Sequence, residues 1–387
     1  MYKIRTLNNI SVKGLDRLPR EHYEIGSEIS APDAILLRSA DMHEQPIPDS
    51  LLAVGRAGAG VNNVPVAAMS EHGIPVFNAP GANANAVKEL VLAGLFLACR
   101  NICAAWDFAR QLEGEGEAYH KAIESGKKQF AGIELPDRVL GVVGLGAIGV
   151  AVANAARSLG MRVIGFDPQI TVDRAWQLSA DVEQAYSIEE LLEKAQFVSF
   201  HVPLTDGTRH LLNRERLKHL NAQAVVLNFA RDGIVEEAAL CQALQNNRLR
   251  AYVTDFPTAE TKHCPGVIAL PHIGASTEEA QDNCAVMAAE QVRDYLENGN
   301  VVNSVNFPEL RMPRRGVARL AVANRNVPDM LGQISHALGE AEANIVHMIN
   351  ESAGDVAYSL VDCDSALEPS IRAKIEAIPG VLRVRVI

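Results

Sequence analysis

Three polar residues, each next to an apolar run, carry side chains suited to one reaction. Arg231 follows AVVLNFA, Glu260 closes DFPTAE, and His272 sits in PHIGAS directly after VIAL. A guanidinium at the carboxyl edge of a parallel sheet can hold a substrate carboxylate through two parallel hydrogen bonds. An imidazole can take a hydroxyl proton while hydride leaves the same carbon, and a carboxylate on its other nitrogen fixes the tautomer and raises its basicity. Pro271 and Gly274 predict a non-helical turn around the histidine. Each residue alone also has a plainer reading: Arg231 beside Asp232 suits a surface ion pair, and a lone histidine is more often a satisfied structural group. Taken together, they point to oxidation of a hydroxyl beside a carboxylate.

A hydride needs an acceptor, and VVGLGAIG supplies a GxGxxG turn at Gly144, Gly146 and Gly149. Glycines there let the backbone approach a pyrophosphate at a helix N-terminus, where unpaired N–H groups and the dipole favour negative charge, so Ala147 and Ile148 join the expected cofactor contacts. Asp167 ends the next apolar run, near the spacing of about 20 residues expected of a ribose-binding acid. Its charge would repel a 2′-phosphate, which favours NAD over NADP. The competing reading is a set of structural glycines and a solvated aspartate.

These residues need a scaffold to hold them. YKIRTL, AILLRSA, LLAVGRAG and IPVFNAP read as parallel strands joined by short helices. Residues 83–110 read as one long apolar-periodic helix. After Pro136 the chain alternates strictly between strand and helix, with a capping box at Ser187 and Glu190 and a helix stop at Gly160. That pattern predicts a doubly wound α/β domain. A helix opening near Ser276 and Glu279 and ending near Gly299 would return the chain to the first region. The expected division is a discontinuous substrate domain over 1–90 and 271–305, a cofactor domain over 91–270, a linker over 306–316, and a tail over 317–387. The tail reads strand, helix, strand, strand, helix, strand.

Composition narrows the function class. The 387 residues are 48% hydrophobic and 21% charged, with a formal net charge of −11. That charge disfavours nucleic acid. Six cysteines without a CxxC pair suit reduced thiols in a cytoplasmic protein, and no metal-ligand spacing stands out. LVLAGLFLAC, the most apolar stretch, falls well short of the roughly 20 residues that cross a bilayer.

With these residues in place, the chain closely resembles the D-isomer-specific 2-hydroxyacid dehydrogenases. The likeness rests on RDGIVEEAAL at Arg231, DFPTAE at Glu260 and PHIGAS at His272. It implies a Rossmann cofactor domain inserted in a flavodoxin-like substrate domain, NAD as cofactor, Arg231 on the substrate carboxylate, His272 as proton acceptor and Glu260 as its partner. HVPLTDGT resembles the family's adenosine-side loop, which brings in His201, Val202, Pro203 and Thr208. The resemblance also places Ala230 and Gly274 beside the cofactor and makes Asp255 the acid that meets the nicotinamide amide. RSA at 38–40, VGRAGAGVNNV at 54–64 and NAPGANANAVKEL at 78–90 are similar to substrate-side motifs of members acting on a phosphorylated acid. They imply Arg38, Arg56, Asn83 and Lys128 as contacts for phosphate and carboxylate. The implied reaction is oxidation of 3-phospho-D-glycerate to 3-phosphohydroxypyruvate, the entry to L-serine synthesis. A hydroxypyruvate or glyoxylate reductase, and an NAD-sensing corepressor or scaffold, are the alternatives within reach of the same motifs.

The tail resembles an ACT domain, a βαββαβ module that binds amino acids at a subunit interface. That likeness implies Asn326 and Asn344 as effector contacts, and a homodimer or homotetramer. Asp329 stands where such modules have glycine, and a carboxylate there would repel an amino acid's carboxyl group. RDG for RGG and Phe256-Pro257 for Val-Phe are further departures from the family pattern.

Overall fold

Two parallel sheets and one antiparallel sheet organise the chain. The computed structural model describes residues 1–387, and its contacts divide them into two units, 1–83 with 278–387 and 84–277. The crossings after Asn83 and Thr277 fall a few residues from the expected boundaries near 90 and 270.

The first unit holds a five-stranded parallel sheet in the order Tyr23–Gly26, Tyr2–Leu7, Ala34–Leu37, Ala53–Arg56, Val76–Phe77. The helix Glu278–Asn298 lies on it. Ala285, Ala288 and Ala289 are small enough for close approach, and Gly14 packs directly on Ala285, where any Cβ would collide. The edge strand Tyr23–Gly26 has no strong alternation in the sequence.

In the second unit seven parallel strands run in the order Val267–Ala269, Leu249–Thr254, Ala224–Asn228, Phe197–Phe200, Val139–Val143, Arg162–Phe166, Glu183–Gln184. Strand order reverses beside Val139–Val143, the position where open α/β sheets bind ligands at their carboxyl ends. The single helix expected over 83–110 is two, Ala84–Cys99 and Ile102–Gln111, bent by 63°. Asn101 breaks it by adopting left-handed dihedrals, with its amide donating to the Phe130 and Ala131 carbonyls. No single helix is long and apolar enough to cross a membrane.

The tail forms a four-stranded antiparallel sheet, Ile345–Ala353, Val356–Cys363, Ala318–Arg325, Val381–Val386, with helices Met330–Glu340 and Pro369–Glu376. Rather than standing apart behind a free linker, it shares a buried core with the first unit: Ala321, Tyr358 and Leu360 join Ala288, Tyr295 and Leu296. The segment 306–316 takes part, burying Phe307, Leu310 and Met312. Composition suggested a linker because prolines and arginines dominate it, but its apolar residues are spaced to reach the core. Polar contacts reinforce the seam. Arg385 donates to the Tyr295 and Leu296 carbonyls, Arg319 to those of Asn298 and Met312, and the Tyr358 hydroxyl to that of Gly299. The carbonyls at the end of the long helix thus find donors they could not find within the helix.

Candidate active site

The glycine turn is built on the strand Val139–Val143. Gly144 has φ +91°, and a Cβ there would press on His201 and Val202. At Gly149 a Cβ would strike the Gly144 carbonyl, so glycine sets the tight strand-to-helix packing. Nothing lies within 4 Å of a Cβ on Gly146, which leaves the backbone open to a ligand. The helix Ala147–Ser158 starts there without a side-chain cap, so its first N–H groups are available. Beside the turn, Asp167 accepts from the Leu145 and Gln169 N–H groups, both at 2.8 Å, and each oxygen keeps a lone pair.

Across the glycine turn runs the loop 201–208. His201 pairs Nε2 with the Ser199 hydroxyl at 2.9 Å, while burial without a charged partner pushes its pKa down to about 3. The ring is neutral at physiological pH. Its Nδ1 is buried and unpartnered. The Thr208 hydroxyl closes the loop by donating to the Pro203 carbonyl at 2.6 Å.

Arg231 is presented by a turn that Asn228 holds. The buried Asn228 amide donates to the Arg231 carbonyl and accepts from the Ala230 N–H. The guanidinium is exposed, donates to the Ala230 carbonyl and forms no ion pair with Asp232. One strand over, Asp255 is 1% exposed, and burial raises its pKa above the ordinary value. A hydrogen bond from the Gly274 N–H opposes that shift, as do the charges of His272 and Arg231. His272 and Arg231 therefore each lie within electrostatic reach of Asp255. The other Asp255 oxygen, Oδ1, is buried with no partner.

His272 adopts φ +42°, held by main-chain bonds from Leu270 N–H to Thr254 O and from His272 N–H to Asp255 O. Its ring is exposed and rests on Phe256. Glu260 heads the short 3-10 turn Thr261–His263 with an exposed carboxylate, and it makes no hydrogen bond to His272. The expected carboxylate–imidazole pair is therefore not formed in this structure, where the imidazole rests on the phenyl ring and the Glu260 side chain is exposed.

In the first unit, Arg38 and Arg56 follow and end adjacent parallel strands in which Leu37 pairs with Arg56, so both sit at the same sheet edge. Arg38 donates to the Gln281 amide oxygen at 3.0 Å, and the Arg56 side chain folds over Gly58. Asn83 is the last residue before the crossing. Lys128 belongs to the second unit, exposed on the 3-10 turn Lys127–Phe130. In the tail, Asn326 donates to the Gly354 carbonyl, Asn344 has an exposed side chain, and Asp329 takes left-handed dihedrals with its carboxylate over Gly332.

Sequence reasoning did not find the Phe256–His272 contact or the hydrogen bond from the Thr258 hydroxyl to Glu237, whose pKa burial raises. Phe256 stands out in the sequence only as a departure from the family's Val.

The residues present fit a dinucleotide: an open glycine turn, an uncapped helix start, a carboxylate beside them, and an orphaned buried oxygen on Asp255. Comparison with known proteins agrees. The model of the D-isomer specific 2-hydroxyacid dehydrogenase NAD binding domain matches residues 93–274. The D-3-phosphoglycerate dehydrogenase of Methanocaldococcus jannaschii is 35% identical over 348 residues, 88% of this chain and 63% of that protein. That of Haemophilus influenzae is 33% identical over 349 residues, covering 87% of this chain and 81% of the relative. Among solved structures, the NAD+-bound 3-phosphoglycerate dehydrogenase of Entamoeba histolytica has 27% identity and a TM-score of 0.61, covering 80% of this chain and 99% of that one. The chain belongs to the D-isomer-specific 2-hydroxyacid dehydrogenases and carries the family's NAD-binding domain. It spans under two thirds of the length of the M. jannaschii relative, and most of the H. influenzae one.

Proposed function

We propose that the chain oxidises 3-phospho-D-glycerate to 3-phosphohydroxypyruvate. The observation that carries this reading is the grouping of Arg231, Asp255 and His272 at the carboxyl edge of the seven-stranded sheet that bears the glycine turn. NAD, when bound, accepts the C2 hydride. Arg231 holds the substrate carboxylate in a two-point grip, which fixes C2. His272 takes the C2 hydroxyl proton, and Asp255 Oδ1 accepts the carboxamide N–H that orients the nicotinamide. Glu260 steadies the imidazolium after its side chain swings toward the ring. Asp167 accepts the adenosine ribose hydroxyls, and Gly144, Gly146, Ala147, Ile148 and Gly149 line the pyrophosphate. Ala230, Gly274 and the 201–208 loop complete the cofactor contacts. Arg38, Arg56 and Asn83 supply the phosphate contacts, and Lys128 is the weakest member of the set because nothing orients it.

The names of the two relatives support the phosphorylated substrate. Initial rates with NAD and 3-phosphoglycerate, set against D-glycerate and glycolate, test it. A kcat/KM favouring the unphosphorylated acids would assign a hydroxypyruvate or glyoxylate reductase instead.

The tail is read as an ACT module, on its βαββαβ order and its antiparallel sheet. A homodimer through the cofactor domain is favoured by the helices Ile102–Gln111 and Gly116–Gly126, which bury no residue and leave Trp106 59% exposed. Mass measurement in solution tests that.

A further inference from the structure

In this structure the contact on the His272 ring comes from Phe256 rather than from Glu260. The ring centroids are 4.5 Å apart with the planes inclined by 42°, within the range of favourable aromatic pairs. Main-chain bonds bring the two residues side by side. Leu270 N–H donates to Thr254 O, His272 N–H to Asp255 O, and Gly274 N–H to Asp255 Oδ2, so the 270–274 turn is fastened to the corner 254–256. The Thr254 hydroxyl, itself donating to Asn228 O, accepts from the Phe256 N–H at 3.0 Å and fixes the start of that corner. An imidazole on a left-handed residue is thus presented by backbone and held in orientation by a phenyl ring.

We propose that Phe256 is a positioning residue for the reaction: it holds the His272 imidazole in its working orientation as the proton is taken. The inference rests on the function proposed above. One physical effect carries it. A flat ring restricts rotation of its neighbour about χ2, which lowers the entropy lost on reaching the reactive geometry. The charged group beside this turn is Asp255, whose main-chain carbonyl accepts from the His272 N–H, and Arg231, past the end of the neighbouring strand, acts on Asp255. Glu260 lies four residues past Phe256 and adds its charge only after reorienting.

Four variants and two measurements separate this from a purely structural role. The His272 Cε1–H resonance, assigned by its loss in His272→Asn, is expected upfield of a free imidazole through the ring current of Phe256. Phe256→Leu keeps most of the volume and should abolish that displacement. In the kinetics of 3-phosphoglycerate oxidation, Phe256→Ala should lower kcat about tenfold with KM for NAD unchanged. Phe256→Leu should lower kcat likewise, and Phe256→Tyr should keep both kcat and the displaced resonance. A fold defect would instead disturb KM for NAD together with kcat. The proposal is overturned if the resonance is not displaced, or if Phe256→Leu and Phe256→Ala keep the wild-type kcat. A wild-type protein that does not turn over 3-phosphoglycerate refutes the assigned function instead, and the resonance still reports on the ring contact.

Discussion

The Arg319 guanidinium and the Asp362 carboxylate form a two-bond pair at 2.6 and 2.9 Å, with neither side chain exposed to solvent. A third guanidinium nitrogen bonds the Asn298 and Met312 carbonyls, so the pair ties the tail to the end of the helix Glu278–Asn298. That helix begins six residues after His272. The tail is part of the first unit's core, and the pair sits where the two meet.

Breaking it from one side leaves a buried charge. Arg319→Met is expected to cost about 3–5 kcal/mol, whereas Arg319→Met with Asp362→Leu should recover much of that. Urea unfolding of the three proteins checks it. Burial pushes the Asp362 carboxyl up, but the Arg319 bonds and the Arg315 and Gly316 backbone donors prevail and hold it below its ordinary value. Its contribution is therefore present above the unfolded pKa and is lost as pH falls through the lowered folded value.

Asp255 has the opposite sign. Its carboxyl is raised by burial, so the charged form costs stability above the ordinary value of 3.8, and that cost vanishes as pH falls through the raised folded value. Asp255→Asn should consequently raise Tm at pH 7 while raising KM for NAD about tenfold, since the amide keeps an acceptor for Gly274 but loses the charged one. Thermal melts and NAD titrations of one preparation give both numbers. A melting point that falls at pH 7 contradicts the burial cost.

Cofactor choice should rest on Asp167. Asp167→Asn removes the charge facing a 2′-phosphate and should shift the NADP-to-NAD ratio of kcat/KM about a hundredfold toward NADP. An unchanged ratio would mean that the ribose lies elsewhere.

L-serine should leave the wild-type rate unaltered. The Asp329 carboxylate covers the first turn of the helix Met330–Glu340, and, on the proposed reading of the tail as an ACT module, it would repel the carboxyl group of an amino acid bound there. Asp329→Gly also suits the left-handed dihedrals, so that variant should fold at least as well and slow in the presence of L-serine. Inhibition of the wild type at low serine concentration would contradict this.

Much of the architecture was legible in the sequence because buried parallel strands such as AVVLN and FVSF are continuous apolar runs, and because Gly144–Gly149 and Asp167 keep fixed spacing on such strands. The helix break at Asn101 was not, since it depends on an amide meeting carbonyls some thirty residues on. Nor was the burial of 306–316, where Phe307, Leu310 and Met312 are masked by the prolines and arginines around them. In the site, residue types pointed to Arg231, Glu260 and His272, and the family resemblance to Asp255. Side-chain orientation was beyond their reach: which ring His272 touches depends on a rotamer and on the turn at 270–274 rather than on spacing.

Initial rates of NADH formation from NAD and 3-phosphoglycerate, measured for wild type and His272→Asn, decide whether this site carries out the proposed oxidation. Turnover should saturate with 3-phosphoglycerate, exceed the rate with D-glycerate, and fall at least about a hundredfold in the variant. No NADH from the wild type, or equal rates from both proteins, would contradict it.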